Sequence, residues 1–335
     1  MRFDDLPTIV TMGEPSGIGG EITLKAWLNG HHKLSPFCII DSPARLTSIR
    51  DSLELNISIT EISDVKETAV VFENSLPVLP LSLPDQSIPG KLNILNNSAV
   101  ISSIEQAVNL AQTGQAKAIV TNPVHKNTLH QTGFPHPGHT EYLAALANVD
   151  IEPVMMLASE RLRVIPVSRH VSIRNAITSL TSNLIVETAI TANKALSIDF
   201  GIPNPRIAIA ALNPHAGEGG RMGDEEKIYI EPAIKVLEAL GLSISGPLSP
   251  DTIFHQKARV NYDVVLCMYH DQALIPIKTL DFETAVNITL GLPFVRTSPD
   301  HGTALDIAGK GCANELSLIS ALKVASDMAD KRLNS

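Results

Sequence analysis

Arg206-Ile207-Ala208-Ile209-Ala210 gives way to Asn213-Pro214-His215-Ala216-Gly217-Glu218, and then to a helical pattern over Asp224–Leu240. Val264-Val265-Leu266-Cys267-Met268 follows and runs into Tyr269-His270-Asp271-Gln272. Two short, apolar, β-branched runs flanking a longer helical pattern are the order expected of parallel strands buried on both faces and joined by a crossover helix. The polar segment directly after each strand is where an open α/β sheet receives its ligands.

The same rhythm extends in both directions. Further strands are predicted at Thr8–Thr11, Phe37–Ile40, Ala69–Phe72, Ala118–Thr121, Val154–Leu157 and Arg163–Val167. Helices are predicted at Gly19–Leu28, Ser98–Thr113, Thr140–Ala147, Ile173–Leu196 and Asn314–Arg332. There is no internal repeat and no obvious linker. A chain of 335 residues exceeds the usual limit of one hydrophobic core. The expectation is therefore two α/β/α lobes with largely parallel sheets and an active-site cleft between them. Five polar strand ends are expected to converge on that cleft: Gly13–Gly19, Asn122-Pro123, Ser168-Arg169-His170, Asn213–Glu218 and Tyr269–Gln272.

Composition narrows the partners. A hydrophobic fraction of 44% with 18% charged residues describes a folded globular chain. A net charge of −9 repels phosphodiester backbones, and no basic cluster stands against it, so nucleic acid is not an expected partner. No apolar run approaches the length of about 20 residues that spans a bilayer, and Met1-Arg2-Phe3-Asp4-Asp5 lacks a signal-peptide pattern. A cytoplasmic location is expected, without membrane attachment. Cys38, Cys267 and Cys312 show no CxxC spacing and read as small core residues.

Three of the eleven histidines, His170, His215 and His270, each follow an apolar strand closely. Neutral imidazole is the commonest metal ligand, and three with a vacant position leave room for substrate oxygens. A loop histidine taken singly reads as a hydrogen-bonding residue; three in equivalent places favour a divalent cation. Metal-bound imidazoles usually give their other N–H to a carboxylate, for which Asp271 is preferred over Asp251 and Asp263. Gly13-Glu14-Pro15-Ser16-Gly17-Ile18-Gly19 suits a tight turn or an anion at a helix start, but has neither the G-x-G-x-x-G order nor a P-loop lysine. In Pro137-Gly138-His139-Thr140-Glu141, Thr140 suits a helix cap and His139 can donate to an anion. The densest polar stretch, Tyr269–Gly311, holds His270, Lys278, Asn287, Arg296, Asp300, His301 and Asp306. Lysine, asparagine and arginine together supply the charge and forked donors that phosphate and carboxylate require.

Taken in order, Gly13–Glu21, Thr121-Asn122-Pro123, Pro137–Leu143, Pro166–His170, Leu212–Glu218, Tyr269–Gln272 and Val286–Gly311 resemble the 4-hydroxythreonine-4-phosphate dehydrogenases of vitamin B6 biosynthesis along essentially the whole chain. The resemblance implies an isocitrate/isopropylmalate dehydrogenase-like fold and an obligate homodimer that shares its metal site between subunits. It implies a divalent ion (zinc, magnesium or cobalt) on His170, His215 and His270, and substrate contacts from His139, Thr140, Lys278, Asn287 and Arg296. Lys278 and Asp271 are the implied acid/base residues. His301-Gly302-Thr303-Ala304-Leu305-Asp306-Ile307-Ala308-Gly309 is similar to the cofactor loop of the related dehydrogenases, so His301, Gly302, Thr303 and Asp306 are expected to hold NAD or NADP. The implied division places residues 1–130 with 280–335 in a cofactor-side lobe, and residues 131–279 in a lobe for metal, substrate and dimerisation. The implied reaction is oxidation of a small phosphorylated hydroxy-amino acid. Dehydrogenases of phosphorylated threonate or erythronate share these residues, and a metal-dependent hydrolase or a non-catalytic phosphoryl-ligand binder is the more distant reading. Ser16, Gly20, Arg169 and Ala273 depart from the family pattern.

Overall fold

The computed structural model describes residues 6–149 and 152–334; Met1-Arg2-Phe3-Asp4-Asp5, read above for an export signal, lies outside the described residues. The first elements in chain order are β1 (Thr8–Thr11), α1 (Gly19–Gly30), β2 (Phe37–Asp41), α2 (Pro43–Ser52), β3 (Ile59–Glu61), α3 (Thr68–Phe72), β4 (Leu76–Pro80), α4 (Asn97–Gln112), β5 (Ala118–Thr121), α5 (Lys126–Gln131) and α6 (His139–Leu146). Then come β6 (Val154–Ala158), β7 (Arg163–Pro166), α7 (Ile173–Thr178), α8 (Ser182–Asp199), β8 (Arg206–Ala210), α9 (Glu231–Ala239), β9 (Ser243–Leu248), α10 (Gln256–Arg259), β10 (Val264–Cys267) and α11 (His270–Asp281). The chain closes with β11 (Val286–Leu290), β12 (Val295–Pro299) and α12 (Leu316–Leu333). Two units result: Met1–Pro153 with Leu292–Asp330, and Val154–Gly291 with Lys331–Ser335.

In the first unit the strand order is β3-β4-β2-β1-β5-β12, all parallel. Central β1 is buried throughout, as its unbroken apolar and β-branched sequence requires, and lies in register with Phe37–Ile40 on one side and Ala118–Thr121 on the other. The chain runs outward from β1 through β2 and later crosses back to β5, so the topological switch lies between β1 and β5. Ligand sites form beyond the carboxyl ends of strands at such a point. Val100, Ile104, Ala107 and Val108 recur at helical spacing on α4 and pack with Ile9, Ile40 and Ile119. Leu129 of α5 and Tyr142, Leu143 and Ala144 of α6 join the same core. That packing groups residues 131–149 with the first unit, whereas the sequence reading grouped 131 onward with the second.

In the second unit the order is β11-β6-β7-β10-β8-β9. β6 runs antiparallel to both neighbours, and β7, β10, β8 and β9 are mutually parallel. Pairing of Val286–Leu290 with β6 keeps residues 280–291 in this unit rather than in the first. Its core contains Leu157, Val164, Ala208, Val265, Cys267 and Ile277.

The mostly parallel α/β architecture is the one expected, with local corrections. Ala69–Phe72 is helical within α3, and the strand falls at Leu76–Pro80. Asp64 and Glu67 form a reciprocal capping box that starts this helical segment, a signal that outweighs a short apolar run. Residues 173–196 form two helices because Thr181 caps a new one, accepting from the Leu184 N–H at 3.1 Å. Asp224–Leu240 begins with a π-helical turn, Glu226–Ile230, before α9. Cys38 and Cys267 are buried, but Cys312 is exposed rather than in the core. Among the described residues no helix is long and apolar enough to cross a membrane.

Candidate functional site

The glycine-bearing loop after β1 is shaped by close packing at the switch point. Gly13 adopts φ +69, and a Cβ there would lie 2.6 Å from the Asn122 side chain and 2.8 Å from the Pro123 carbonyl. Only glycine tolerates both the left-handed backbone and that approach. Glu14 is buried, which raises its carboxyl pKa, while the Ser16 N–H donates to it. The Ile18 N–H donates to the Thr303 carbonyl at 3.1 Å, so this loop and the segment expected to hold the cofactor are in contact. In that segment Ala304 has φ 45, and His301 Nε2 is shielded and has no partner among the described residues. Gly302 faces open space, and Asp306 lies in the turn that follows. A cavity of about 690 Å³ adjoins these loops, lined by Pro15, Gly17, Ser42, Arg45, Ser87 and Gly309 among others.

The strand next to β5 carries Arg296, 4% exposed, whose Nη2 and Nε donate to Thr121 Oγ1 at 2.6 and 3.2 Å. Burial lowers its guanidinium pKa to about 10, with Glu141 pulling the other way. His139 and Thr140 occupy the first two positions of α6, and Gly138 is its N-cap without a side-chain cap. Thr140 is therefore one residue inside the helix rather than the capping residue. The His139 Nε2 is shielded and unpartnered among the described residues. Desolvation, then Arg296 and Lys126, hold its pKa well below the usual histidine range, so the ring is neutral at pH 7. A Cβ on Gly138 would lie 3.0 Å from Glu141 Oε2 and 3.4 Å from Lys126 Nζ. A desolvated guanidinium, a lysine and a helix N-terminus form a cluster whose charge and orphan polar atom suit an anion.

In the second unit the loops after the parallel strands carry the histidines. Ser168 Oγ donates to the Met268 carbonyl at 2.7 Å, and Gln272 Nε2 donates to the Ala211 carbonyl at 2.7 Å, tying the ends of β7, β10 and β8 together. The His170 and His270 rings lie 5.6 Å apart, centre to centre. His270 opens α11 and shares a 2.7 Å hydrogen bond between its Nδ1 and Asp271 Oδ1. That geometry fixes the tautomer and leaves Nε2 for another partner. His170 and His215 both have left-handed backbones, φ 39 and φ 53. His215 starts a run, through Ala216, Gly217, Glu218 and Gly219, in which every residue is left-handed. Each non-glycine residue there costs roughly 1–2 kcal/mol, and such strain concentrates at ligand sites.

The donor set fits a divalent cation in part. His170 and His270 are neighbours, and Asp271 orients one of them. Among the described residues no group of three His, Cys, Asp or Glu is placed to hold a metal ion, so His215 is not gathered with the other two within one chain. Lys278, on the last turn of α11, lies 5.7 Å from the centre of the Phe282 ring. Asn287 sits on β11 opposite Leu157. Of the other carboxylates considered, Asp251 accepts from Ser249 Oγ, and Asp263 is engaged by Arg206 through its backbone N–H, Nε and Nη2.

Sequence reasoning quoted Thr121 and Glu141 within motifs without giving them a role, and overlooked Lys126. Lys126 stands three residues after the Thr121-Asn122-Pro123 motif, and proximity to it was the available signal.

These features define a two-unit α/β protein with an anion-adapted cluster in one unit and paired imidazoles in the other. The family follows from comparison with known proteins. The sequence profile of the pyridoxal phosphate biosynthetic protein PdxA matches residues 33–325. The chain is 48% identical to the 4-hydroxythreonine-4-phosphate dehydrogenase of Methylorubrum populi, over 100% of this chain and 97% of that one. It is also 48% identical to the enzyme of that name from Bradyrhizobium diazoefficiens, over 96% and 97%. The crystal structure of the 4-hydroxythreonine-4-phosphate dehydrogenase from Klebsiella pneumoniae superposes with a TM-score of 0.88 at 37% identity, covering 97% of this chain and 99% of that one. The chain belongs to the PdxA family.

Proposed function

We propose that this chain oxidises 4-hydroxythreonine 4-phosphate with NAD to the 3-oxo acid, which decarboxylates to 3-amino-2-oxopropyl phosphate in the cytoplasmic synthesis of pyridoxal 5′-phosphate. The observation that carries the reading is the cluster at the start of α6, where the buried Arg296 guanidinium and the exposed Lys126 accompany the shielded, unpartnered Nε2 of His139. A substrate phosphate is the matching anion. Arg296, His139 and Thr140 bind it, and Lys278 and Asn287 supply further polar contacts to the substrate.

His170, His215 and His270 are the residues to hold a divalent ion (zinc, magnesium or cobalt), with His215 contributed across a homodimer. When bound, such an ion acts as a Lewis acid that eases loss of a proton from the substrate hydroxyl. Asp271 engages Nδ1 of His270 and so orients the ring with Nε2 left for another partner. Lys278 Nζ is the group to deliver a proton to carbon after carbon dioxide leaves. His301, Gly302, Thr303 and Asp306 hold the nicotinamide cofactor, NAD in preference to NADP, and the adjoining cavity lies in the size range of ligand pockets.

The test follows NADH absorbance with 4-hydroxythreonine 4-phosphate beside threonate and erythronate phosphates. Turnover with the first substrate at far higher kcat/KM supports the proposal. Faster turnover of either acid phosphate transfers the assignment to that substrate, and phosphate release without NAD replaces it with hydrolysis.

A further inference from the structure

We infer that Glu226 is a positioning residue for His215, gripping the strained turn on which the imidazole stands. Glu226 is 2% exposed and opens the π-helical turn Glu226–Ile230. Its side chain turns back toward residues more than a dozen positions earlier. Oε1 accepts from the Leu212 N–H at 2.9 Å and the Asn213 N–H at 2.7 Å, and Oε2 accepts from Asn213 Nδ2 at 2.9 Å. Asn213 Nδ2 also donates to Glu225 Oε2 at 2.7 Å.

The same carboxylate touches the middle of the turn. A Cβ on Gly217 would lie 2.7 Å from Glu226 Oε2, so the left-handed chain passes directly against it. A Cβ on Gly223 would lie 2.5 Å from Asn213 Nδ2, which closes the other side. His215 lies between the two gripped points, Asn213 and Gly217, and follows Pro214, whose φ is fixed by its ring. Three consecutive non-helical residues, His215, Ala216 and Gly217, therefore have little freedom to relax toward a right-handed backbone. Carboxylate bonds to backbone N–H groups are among the stronger hydrogen bonds, and their burial shields them from water. A π-helical turn is uncommon, and here it sets Glu226 facing the turn after β8.

The inference rests on the reading of His215 as a metal ligand, and the experiment separates the two. Full-length protein stripped by chelator is titrated with Co²⁺, and its visible absorption is followed for wild type, Glu226→Gln, His215→Ala and the double variant. Glu226→Gln exchanges one acceptor oxygen for a donor at nearly constant shape. It is expected to weaken Co²⁺ binding about 10–100-fold, the usual consequence of losing an outer-shell partner, and to shift the absorption bands. His215→Ala is expected to weaken binding at least as much, and Glu226→Gln is expected to add nothing in the His215→Ala background. Asn213→Ala, which deletes only the side-chain part of the grip, should give a smaller loss and serves if Glu226→Gln does not fold. Wild-type affinity in Glu226→Gln beside a weakened His215→Ala overturns the positioning role while leaving the metal reading intact. An equal loss with and without His215 assigns Glu226 to general stability and overturns it too. Wild-type affinity in His215→Ala overturns both.

Discussion

The anion-adapted cluster of the first unit and the histidine loops of the second are costly to maintain in different ways. In the first, the backbone of α6 is ordinary and the cost is electrostatic: Arg296 is buried, and His139 is held neutral. In the second, the imidazoles are more exposed and the cost is conformational, with His170, His215, Ala216 and Glu218 all left-handed. A buried charge is stabilised when a counter-ion arrives, so the first cluster is tuned for affinity. A strained loop fixes where its side chain points, so the second is tuned for geometry. The contrast predicts that variants of the first act on substrate binding and variants of the second act on turnover.

The largest effect should come from the second unit. Chelation is expected to abolish turnover and added divalent cation to restore it, with His270→Ala behaving like the chelated enzyme; full activity in metal-free buffer would break the comparison at its base. In the first unit, Arg296→Ala should raise KM for the phosphorylated substrate by roughly one to two decades, the loss of a charge-assisted bond of about 1.5–3 kcal/mol. Its kcat should change much less, and a kcat effect as large as the KM effect would erase the distinction. Mixing inactive His215→Ala and His270→Ala chains should recover roughly a quarter of wild-type activity, because half the reassorted dimers are hybrid and each hybrid has one intact site. No recovery after demonstrated subunit exchange would place His215 and His270 in one chain and overturn the sharing proposed for His215.

The smallest effect is expected at the amino ends of β8 and β10 in the second unit, the ends away from the histidines. Asp263 accepts from the Arg206 side chain and backbone, which lowers its carboxyl pKa. A depressed folded pKa stabilises the protein above the unfolded value of about 3.9 and stops doing so as pH falls through the folded value. Asp263→Asn should therefore lower Tm modestly at pH 7, with the gap closing below about pH 4 and kinetics unchanged. A gap that persists in acid would mean the amide disturbs packing rather than charge.

Much of this was legible in the residues. Ile207–Ala210 and Val264–Cys267 are apolar on both faces, and such strands read reliably as parallel and buried. Ala69–Phe72 misled because four apolar residues have no period of their own, and the deciding residues, Asp64 and Glu67, lay upstream. His139 and Arg296 could be singled out as anion ligands, but the roles of Thr121 and Lys126 could not: Thr121 meets Arg296 through the parallel pairing of β5 and β12, and Lys126 comes from α5 to the start of α6. The left-handed turn at His215 was visible only as a glycine-rich segment; its strain and its hold by Glu226 are properties of folded backbone.

The first unit is discontinuous, because β12 and most of α12 come from the last fifth of the chain. On the ribosome, residues through Pro153 emerge with β5 as an unpaired edge, lacking the strand that bears Arg296, while the whole second unit is still to be made. An unpaired apolar edge is a template for association with other chains. The strands begun first thus gain their last partner only after every strand of the second unit has been made, and slow translation or early termination anywhere between Val154 and Leu292 should be felt as aggregation of the amino-terminal half.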